Sequence, residues 1–199
     1  MSPSHSPRAP FGLHGGRTFT PAGYLASTLD GYSQLVVPGA EQVWAVGEVD
    51  LGDAVRLLRF YLDDEDYWLQ VVMNGSVAGD TLLFGYHSVV PLQGQAQVQQ
   101  LVGPGSKVGL PMYEHDGYLY SRQWGSGQGQ AELVPFSEQV GSPEASYRIR
   151  HLAMLYARDT GLPGRREFLL LSVEEDAQGH TSLSTSLGVT LHPTDFYVT

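Results

Sequence analysis

The triplet Asp159-Thr160-Gly161 has the letters of an aspartic-protease turn, in which a carboxylate at the end of a strand shares a proton with a second carboxylate. A strand-like pattern at 147–158 leads into it. The chain contains this triplet once, whereas the chemistry needs two carboxylates, and Arg158 would place a cation beside a normally apolar site. Because Asp, Thr and Gly are ordinary turn residues, the sequence favours a turn over a hydrolase centred on Asp159.

Clustered arginines form the best-supported candidate binding site. Five of the 11 Lys and Arg residues fall within nineteen positions, namely Arg148, Arg150, Arg158, Arg165 and Arg166. The first three have the same parity on one predicted strand and so share a face. Guanidinium groups suit carboxylates and phosphates, which predicts an anionic ligand or an acidic partner surface. The alternative, favoured in so acidic a chain, is pairing with acids such as Glu167, Glu174 or the run at 63–66.

Metal-ligating residues show no recognisable spacing. No two of the seven histidines are arranged as H-x-H or H-E-x-x-H, so a zinc site would need assembly across strands, and the sequence predicts no metal. His87 and His151 lie in apolar strand patterns and are interpreted as hydrogen-bonded sheet residues. The acidic run at 63–66 lacks the spacing and glycine of a calcium loop and is interpreted as a solvated hairpin tip.

Nucleotide and nucleophile motifs are also missing from the sequence. The glycine-rich segments 103–107 and 125–129 match neither a P-loop nor a dinucleotide fingerprint, and there is no G-x-S-x-G elbow. We therefore predict no catalytic residue and no cofactor, and expect a protein that is not an enzyme.

The elements that must position these residues are strands. Strand-like runs occur at 42–49, 54–62, 67–73, 81–90, 118–123, 131–137, 147–158, 167–175 and 182–191. In the last run Leu183, Leu187 and Val189 alternate with serines, which predicts one buried face and one solvent-exposed serine face. A short helix is predicted from Thr20-Pro21 to about Leu29, and one or two helical turns at 95–102.

This pattern predicts an all-β fold with minor helix, mostly antiparallel, as a sandwich or a partly closed barrel. Residues 11–199 are expected to form a single β-rich domain. Residues 1–10, with three prolines and three serines, are expected to form a disordered tail.

Composition excludes several classes of function. The absence of cysteine excludes disulfides, thiolate catalysis and Cys-ligated metals. A net charge of −10 argues against a nucleic-acid surface. No apolar run approaches the length of a membrane helix, so no direct membrane span is expected, and the N-terminus does not read as a secretory signal. A cytoplasmic location is therefore predicted.

Several blocks together resemble the YjfK-like family of uncharacterised bacterial proteins. They are AVGEVDLG at 45–52, RFYLDDEDYWLQ at 59–70, GLP at 109–111, YRIRH at 147–151, MLYARDTG at 154–161, REFLL at 166–170 and SLSTSLGV at 182–189. The resemblance covers most of the chain beyond residue 40 and carries no catalytic residue with it. It implies genes placed beside a phage-shock-protein-A-like membrane-remodelling protein, and hence a role in an envelope-stress system. This is an inference from association.

The resulting hypothesis is a cytoplasmic, non-enzymatic accessory that binds another protein through a sheet face or edge. The alternative is a binding module for a small anion or a polyamine. The arginines motivate the anion, while the acidic run and the negative net charge motivate the polyamine.

Overall fold

Most of the described chain, residues 9–63 and 65–199 of a computed structural model, is β-strand. The strands are β1 (Thr18–Pro21), β2 (Glu41–Gly52), β3 (Val55–Leu62), β4 (Tyr67–Asn74), β5 (Val77–Leu92), β6 (Met112–His115), β7 (Tyr118–Arg122), β8 (Val134–Gly141), β9 (Ser146–Asp159), β10 (Arg166–Glu175), β11 (Thr181–Leu191) and β12 (Phe196–Val198). Two short helices, α1 (Leu25–Leu29) and α2 (Gln95–Val102), and a 3-10 turn at Pro10–Gly12 join them. Residues 1–8 of the predicted tail, and Asp64 of the acidic run, lie outside the described residues.

Eight antiparallel strands close into a barrel in the order β2-β3-β4-β5-β11-β10-β9-β8. Each strand bonds to its neighbours, and the ring is completed where β8 pairs with β2. That last seam is short, with three residue pairs from Val46–Gly141 to Glu48–Gln139. The all-β, mostly antiparallel prediction is confirmed, and of the two architectures considered the chain adopts the barrel, closed rather than partly closed.

The larger apolar cluster lies outside the barrel wall. Elements that are not part of the barrel contribute Leu25 of α1, Val98 of α2 and Tyr120 of β7 to it. They pack on barrel residues of one parity, such as Leu69 and Leu171. Because side chains alternate across a strand, the opposite parity must face the barrel interior.

Aromatic side chains fill part of that interior. Trp68 and Phe84 stack with ring centroids 4.9 Å apart, and Ala153 and Leu170 complete the cluster from the other side of the barrel. Gly188 provides the space, because a Cβ there would lie 2.5 Å from a ring carbon of Phe84. A glycine on β11 is therefore required for the aromatic packing.

The predicted solvent-exposed serine face of β11 is wrong. Ser184 and Ser186 are 2% and 0% exposed and face the interior, where the Ser184 hydroxyl donates to Glu174 Oε1 at 2.7 Å. The alternation was read correctly, but both faces of this strand are covered, one by the interior and one by the outer layer. Small polar side chains fit the interior because bulky aromatics lie opposite them.

The first helix is shorter than predicted. It ends at Leu29 but begins at Leu25, because Thr20 and Pro21 belong to β1 and pair with Tyr197 and Phe196. The helix predicted at 95–102 is confirmed as α2. Within the described residues, none of the helices has the length and apolar character needed to cross a membrane.

Candidate functional site

One end of the barrel opens into a cavity of about 1610 Å³. Six strands each contribute an inward-facing apolar residue to its wall, namely Leu57, Val72, Leu82, Phe136, Leu155 and Phe168. Trp124, from the segment between β7 and β8, covers one side. A mouth of this kind, concave and largely apolar, is a typical place for a small molecule to bind.

The cavity extends into the barrel wall because the seam between β2 and β8 is short. Beyond Glu48 the two strands no longer pair. Val46 and Glu48 of β2, together with Ser137 and Gln139 of β8, line the resulting cleft. A bound molecule would therefore be reachable both from the barrel end and from the side.

The floor of the cavity is polar. Gln70 lines it, and its Oε1 accepts a hydrogen bond from Arg59 Nε at 3.1 Å. The amide nitrogen of Gln70 has no hydrogen-bond partner among the described residues, so it can donate to a molecule in the cavity.

A buried charge network lies behind Gln70. Glu138, which is 0% exposed, accepts from Arg59 Nη1 at 2.8 Å and from the Tyr61 hydroxyl at 2.7 Å. His151 Nε2 lies 3.0 Å from Glu138 Oε2, and because an ionised carboxylate only accepts, Nε2 carries the proton. The network joins β3, β4, β8 and β9 across the closure seam.

The charge state of this network is well defined. Burial alone would raise the pKa of Glu138, but Arg59, His151 and Tyr61 more than offset it and hold that pKa at about 2. Burial and the charge of Glu138 raise the pKa of Tyr61 well above its ordinary value. The carboxylate is thus ionised and the phenol protonated near neutral pH, with the hydrogen bonds of both groups directed at each other.

We expect stability to fall at acid pH through Glu138. Its folded pKa lies below the unfolded value, so its contribution is complete above about pH 4.5 and is lost as the pH falls toward about 2. Urea unfolding between about pH 5 and pH 2.5 should show a shallower loss for Glu138→Gln than for the wild type. Equal slopes would contradict a depressed pKa at this residue.

Gly47 makes room for the network. A Cβ at this position of β2 would lie 1.8 Å from Glu138 Oε1. We expect Gly47→Ala to lower the free energy of unfolding by at least the ~1–3 kcal/mol typical of overpacking, measured by urea denaturation. Gly141→Ala, on the same seam with no atom within 4 Å of the new Cβ, is the matched control and should change stability far less.

The structure separates the five predicted arginines. Arg150 pairs with Glu175, Arg158 with Glu167, and Arg165 with Asp195. Three of the five, Arg148, Arg165 and Arg166, line the cavity.

The two remaining arginines have no acidic partner in the part of the chain that the structure describes. Arg148 has no hydrogen bond or ion pair among the described residues. Arg166 donates to the neutral Gln123 at 2.8 Å and lies over the Phe168 ring, 5.4 Å from its centroid. Since Phe168 also lines the cavity, the Arg166 guanidinium is held at the boundary between the apolar wall and solvent.

The Asp159 triplet forms a turn. Asp159 Oδ1 accepts from the Gly161 backbone N–H at 2.7 Å, and the Thr160 hydroxyl donates to the Arg165 carbonyl at 2.9 Å. Asp159 also lines the cavity, where it joins Glu48, Asp50 and Asp80 as an acidic group. Glu48 among these is paired with Arg56.

A family model described as protein of unknown function (DUF2491) matches residues 2–197. The chain belongs to this family. Comparisons with curated proteins and with solved structures find no match. This confirms the sequence-based expectation that the chain belongs to a family of unknown function. The YjfK-like name stays a prediction.

Sequence reasoning missed the network of Arg59, Gln70 and Glu138. Arg59 carried a readable signal, because it interrupts the apolar run at 57–62 and a charge inside such a run needs a partner. Glu138 carried none, since the predicted strand at 131–137 stopped one residue before it, whereas β8 runs from Val134 to Gly141. Its partners come from strands that meet only when the barrel closes.

Proposed function

We propose that this member of the family is a binding protein for a small amphipathic anion, held with its apolar part in the barrel mouth. The observation that carries the proposal is the cavity itself, about 1610 Å³ with one apolar side chain from each of six strands. Binding is favoured over catalysis because Glu138, Tyr61 and His151 lie behind the floor and are engaged with one another.

The charge of the ligand follows from the polar groups that face the cavity. Gln70 presents N–H donors at the floor, Arg166 presents its guanidinium group at the barrel end, and Arg148, on the outer face of β9, presents a second one at the side cleft. Neither arginine has an acidic partner among the described residues. Asp50 and Asp159, in contrast, already accept hydrogen bonds from backbone N–H groups in their own turns. A carboxylate or phosphate head group on an apolar body fits these donors.

The test uses dodecanoate as the amphipathic anion and spermidine as the polyamine, with the melting temperature as the readout. A ligand selective for the folded state must stabilise it, by about 2.7 kcal/mol at a hundred times its Kd. Dodecanoate should raise the melting temperature of the wild type. Val72→Trp, which fills the cavity, should abolish the shift, and Arg166→Gln should reduce it.

Val77→Trp is the matched control, because Val77 is 66% exposed and does not line the cavity. It should respond like the wild type. A shift with spermidine alone would replace the anion by a polyamine. A shift that survives Val72→Trp, or no shift with either probe, would overturn binding in the barrel mouth.

A second candidate function is a protein-binding accessory in the cytoplasm, as the resemblance implied. The observation in its favour is the hairpin of β6 and β7, which ends the strand order, so that one edge of β6 pairs with no other described strand. Its outward face exposes Met112 and Leu119, the latter by 57%. An open edge beside apolar side chains is a surface on which another chain can add a strand.

We propose a phage-shock-protein-A-like protein as the partner in this case, and the test uses that protein in purified form. Binding measured by pull-down should be lost in Leu119→Lys and kept in Val77→Lys, which adds the same charge on an exposed valine of β5. Absence of wild-type binding, or equal loss in both variants, would reject it.

A further inference from the structure

Two histidines and an aspartate that do not line the barrel cavity meet where the β6–β7 hairpin reaches β5. His87 Nε2 and His115 Nε2 each lie 3.5 Å from the same atom, Asp116 Oδ2. The two imidazole rings are nearly perpendicular, with centroids 4.7 Å apart. All three candidate ligand atoms lie within 4.8 Å of one another.

These separations fit a shared ion better than direct hydrogen bonds. A nitrogen–oxygen distance of 3.5 Å is at the outer limit for a hydrogen bond. In a tetrahedral zinc site, bonds of about 2.0–2.1 Å place neighbouring ligand atoms about 3.3–3.4 Å apart. The distance from each imidazole nitrogen to Asp116 Oδ2 is therefore within a few tenths of an ångström of a coordinating separation, and the two imidazole nitrogens lie within 4.8 Å of each other.

His115 supplies an independent observation. Its Nε2 is buried and has no hydrogen-bond partner within the described part of the chain, although it lies beside Asp116 and its ring contacts that of His87. A buried polar nitrogen without a partner is costly, and a metal ion at this point would satisfy it.

Irregular backbone geometry occurs at the cluster residues on both β5 and the β6–β7 hairpin. On β5, Tyr86 pairs with Ser186 and Ser88 with Thr185, so His87 is the extra residue of a β-bulge. Bulges re-aim a side chain and recur next to functional sites. On the hairpin, Asp116 adopts a left-handed conformation with φ of 49° in the turn that follows His115.

We propose that His87, His115 and Asp116 bind a divalent transition-metal ion of the zinc class. Two imidazoles and one carboxylate select zinc over calcium or magnesium, which prefer oxygen ligands alone. Three protein ligands leave a fourth position for water. The side chains of His87 and Asp116 are 40% and 52% exposed, so water and the ion can reach the site. The ion would also tie the hairpin to the barrel wall.

The test is titration of untagged, chelator-treated full-length protein with Zn²⁺ at about pH 7.5, where an ordinary imidazole is mostly neutral. We expect one equivalent to bind and the melting temperature to rise. Co²⁺ in its place should give the intense visible absorption of a tetrahedral site, and Ca²⁺ should not bind. His87→Ala and Asp116→Asn should each weaken Zn²⁺ binding more than about tenfold. Loss of a residue that only supports a metal ligand already weakens binding by about that factor, and these residues are ligands themselves.

His180→Ala is the matched control. His180 Nδ1 lies 2.9 Å from Asp176 Oδ2, and this exposed His–Asp pair has no third candidate ligand among the described residues. This variant should bind Zn²⁺ like the wild type. The proposal is overturned by a wild type that takes up no stoichiometric Zn²⁺, or by binding that His87→Ala, with its circular dichroism unchanged, leaves intact.

Discussion

Replacing Glu138 by Gln should lower the free energy of unfolding by about 3–5 kcal/mol, the range for removing one member of a buried ion pair. Gln keeps the size of the side chain and can still accept from Tyr61, but it leaves the Arg59 guanidinium buried without a counter-charge. Both residues are almost fully buried, at 4% and 0% side-chain exposure. Urea unfolding followed by tryptophan fluorescence measures the loss.

Two further variants separate the ion pair from a general effect of the substitution. Glu175→Gln, at the exposed Arg150–Glu175 pair, should change stability by less than about 1 kcal/mol. The double variant Arg59→Met/Glu138→Gln removes both charges and should recover much of the loss. A Glu138→Gln protein within 1 kcal/mol of the wild type would show that the pair contributes little.

Replacing Glu167 by Gln should be the second most damaging change, with an expected loss of about 3 kcal/mol or more. Glu167 is fully buried on the outer face of β10 and accepts four hydrogen bonds. Its Oε1 accepts from the Tyr120 hydroxyl at 2.6 Å and Arg158 Nε at 2.8 Å. Its Oε2 accepts from the Ser33 hydroxyl at 2.5 Å and the Gln34 backbone N–H at 2.6 Å. A Gln amide would turn one of these acceptors into a donor that faces other donors.

Loss of Glu167 should destabilise a different part of the molecule from loss of Glu138. Glu167 fastens the segment after α1 and the β6–β7 hairpin to the barrel, so amide exchange should accelerate at 33–35 and in β7 before the barrel strands exchange. Glu144→Gln, in an exposed turn, is the control and should leave exchange and stability unchanged. Uniformly faster exchange throughout the barrel would contradict a fastening role.

Local pattern was sufficient for the long strands. Runs of strand-forming residues, bounded by turn residues, placed β2, β3, β4, β9 and β10 within about three residues of their observed bounds, because such side chains fit a strand that is buried on one or both faces. The three- and four-residue strands β1, β6 and β12 were not predicted. Their pairing depends on where the neighbouring strand runs, which so short a segment does not encode.

The arginine cluster shows that the alternation of side chains along a strand predicts which face a residue lies on but not which partner it meets. Alternation correctly placed Arg148, Arg150 and Arg158 on one face of β9. Whether each meets an acid is decided by the neighbouring strands, and Glu167 neutralises Arg158 while Arg148 keeps no such partner among the described residues.

What the sequence determined by itself was the class and approximate bounds of the longer strands and the absence of cysteine chemistry, since these depend on residues close together in the chain or on composition. The tertiary structure alone decided that β8 closes on β2, that the serines of β11 face inward, and that Arg59 meets Glu138. It also brought His87 to His115 and Asp116. The physical reason is that strand pairing and cavity shape depend on packing between distant segments, and the cost of an unpaired buried charge appears only once the barrel has excluded water.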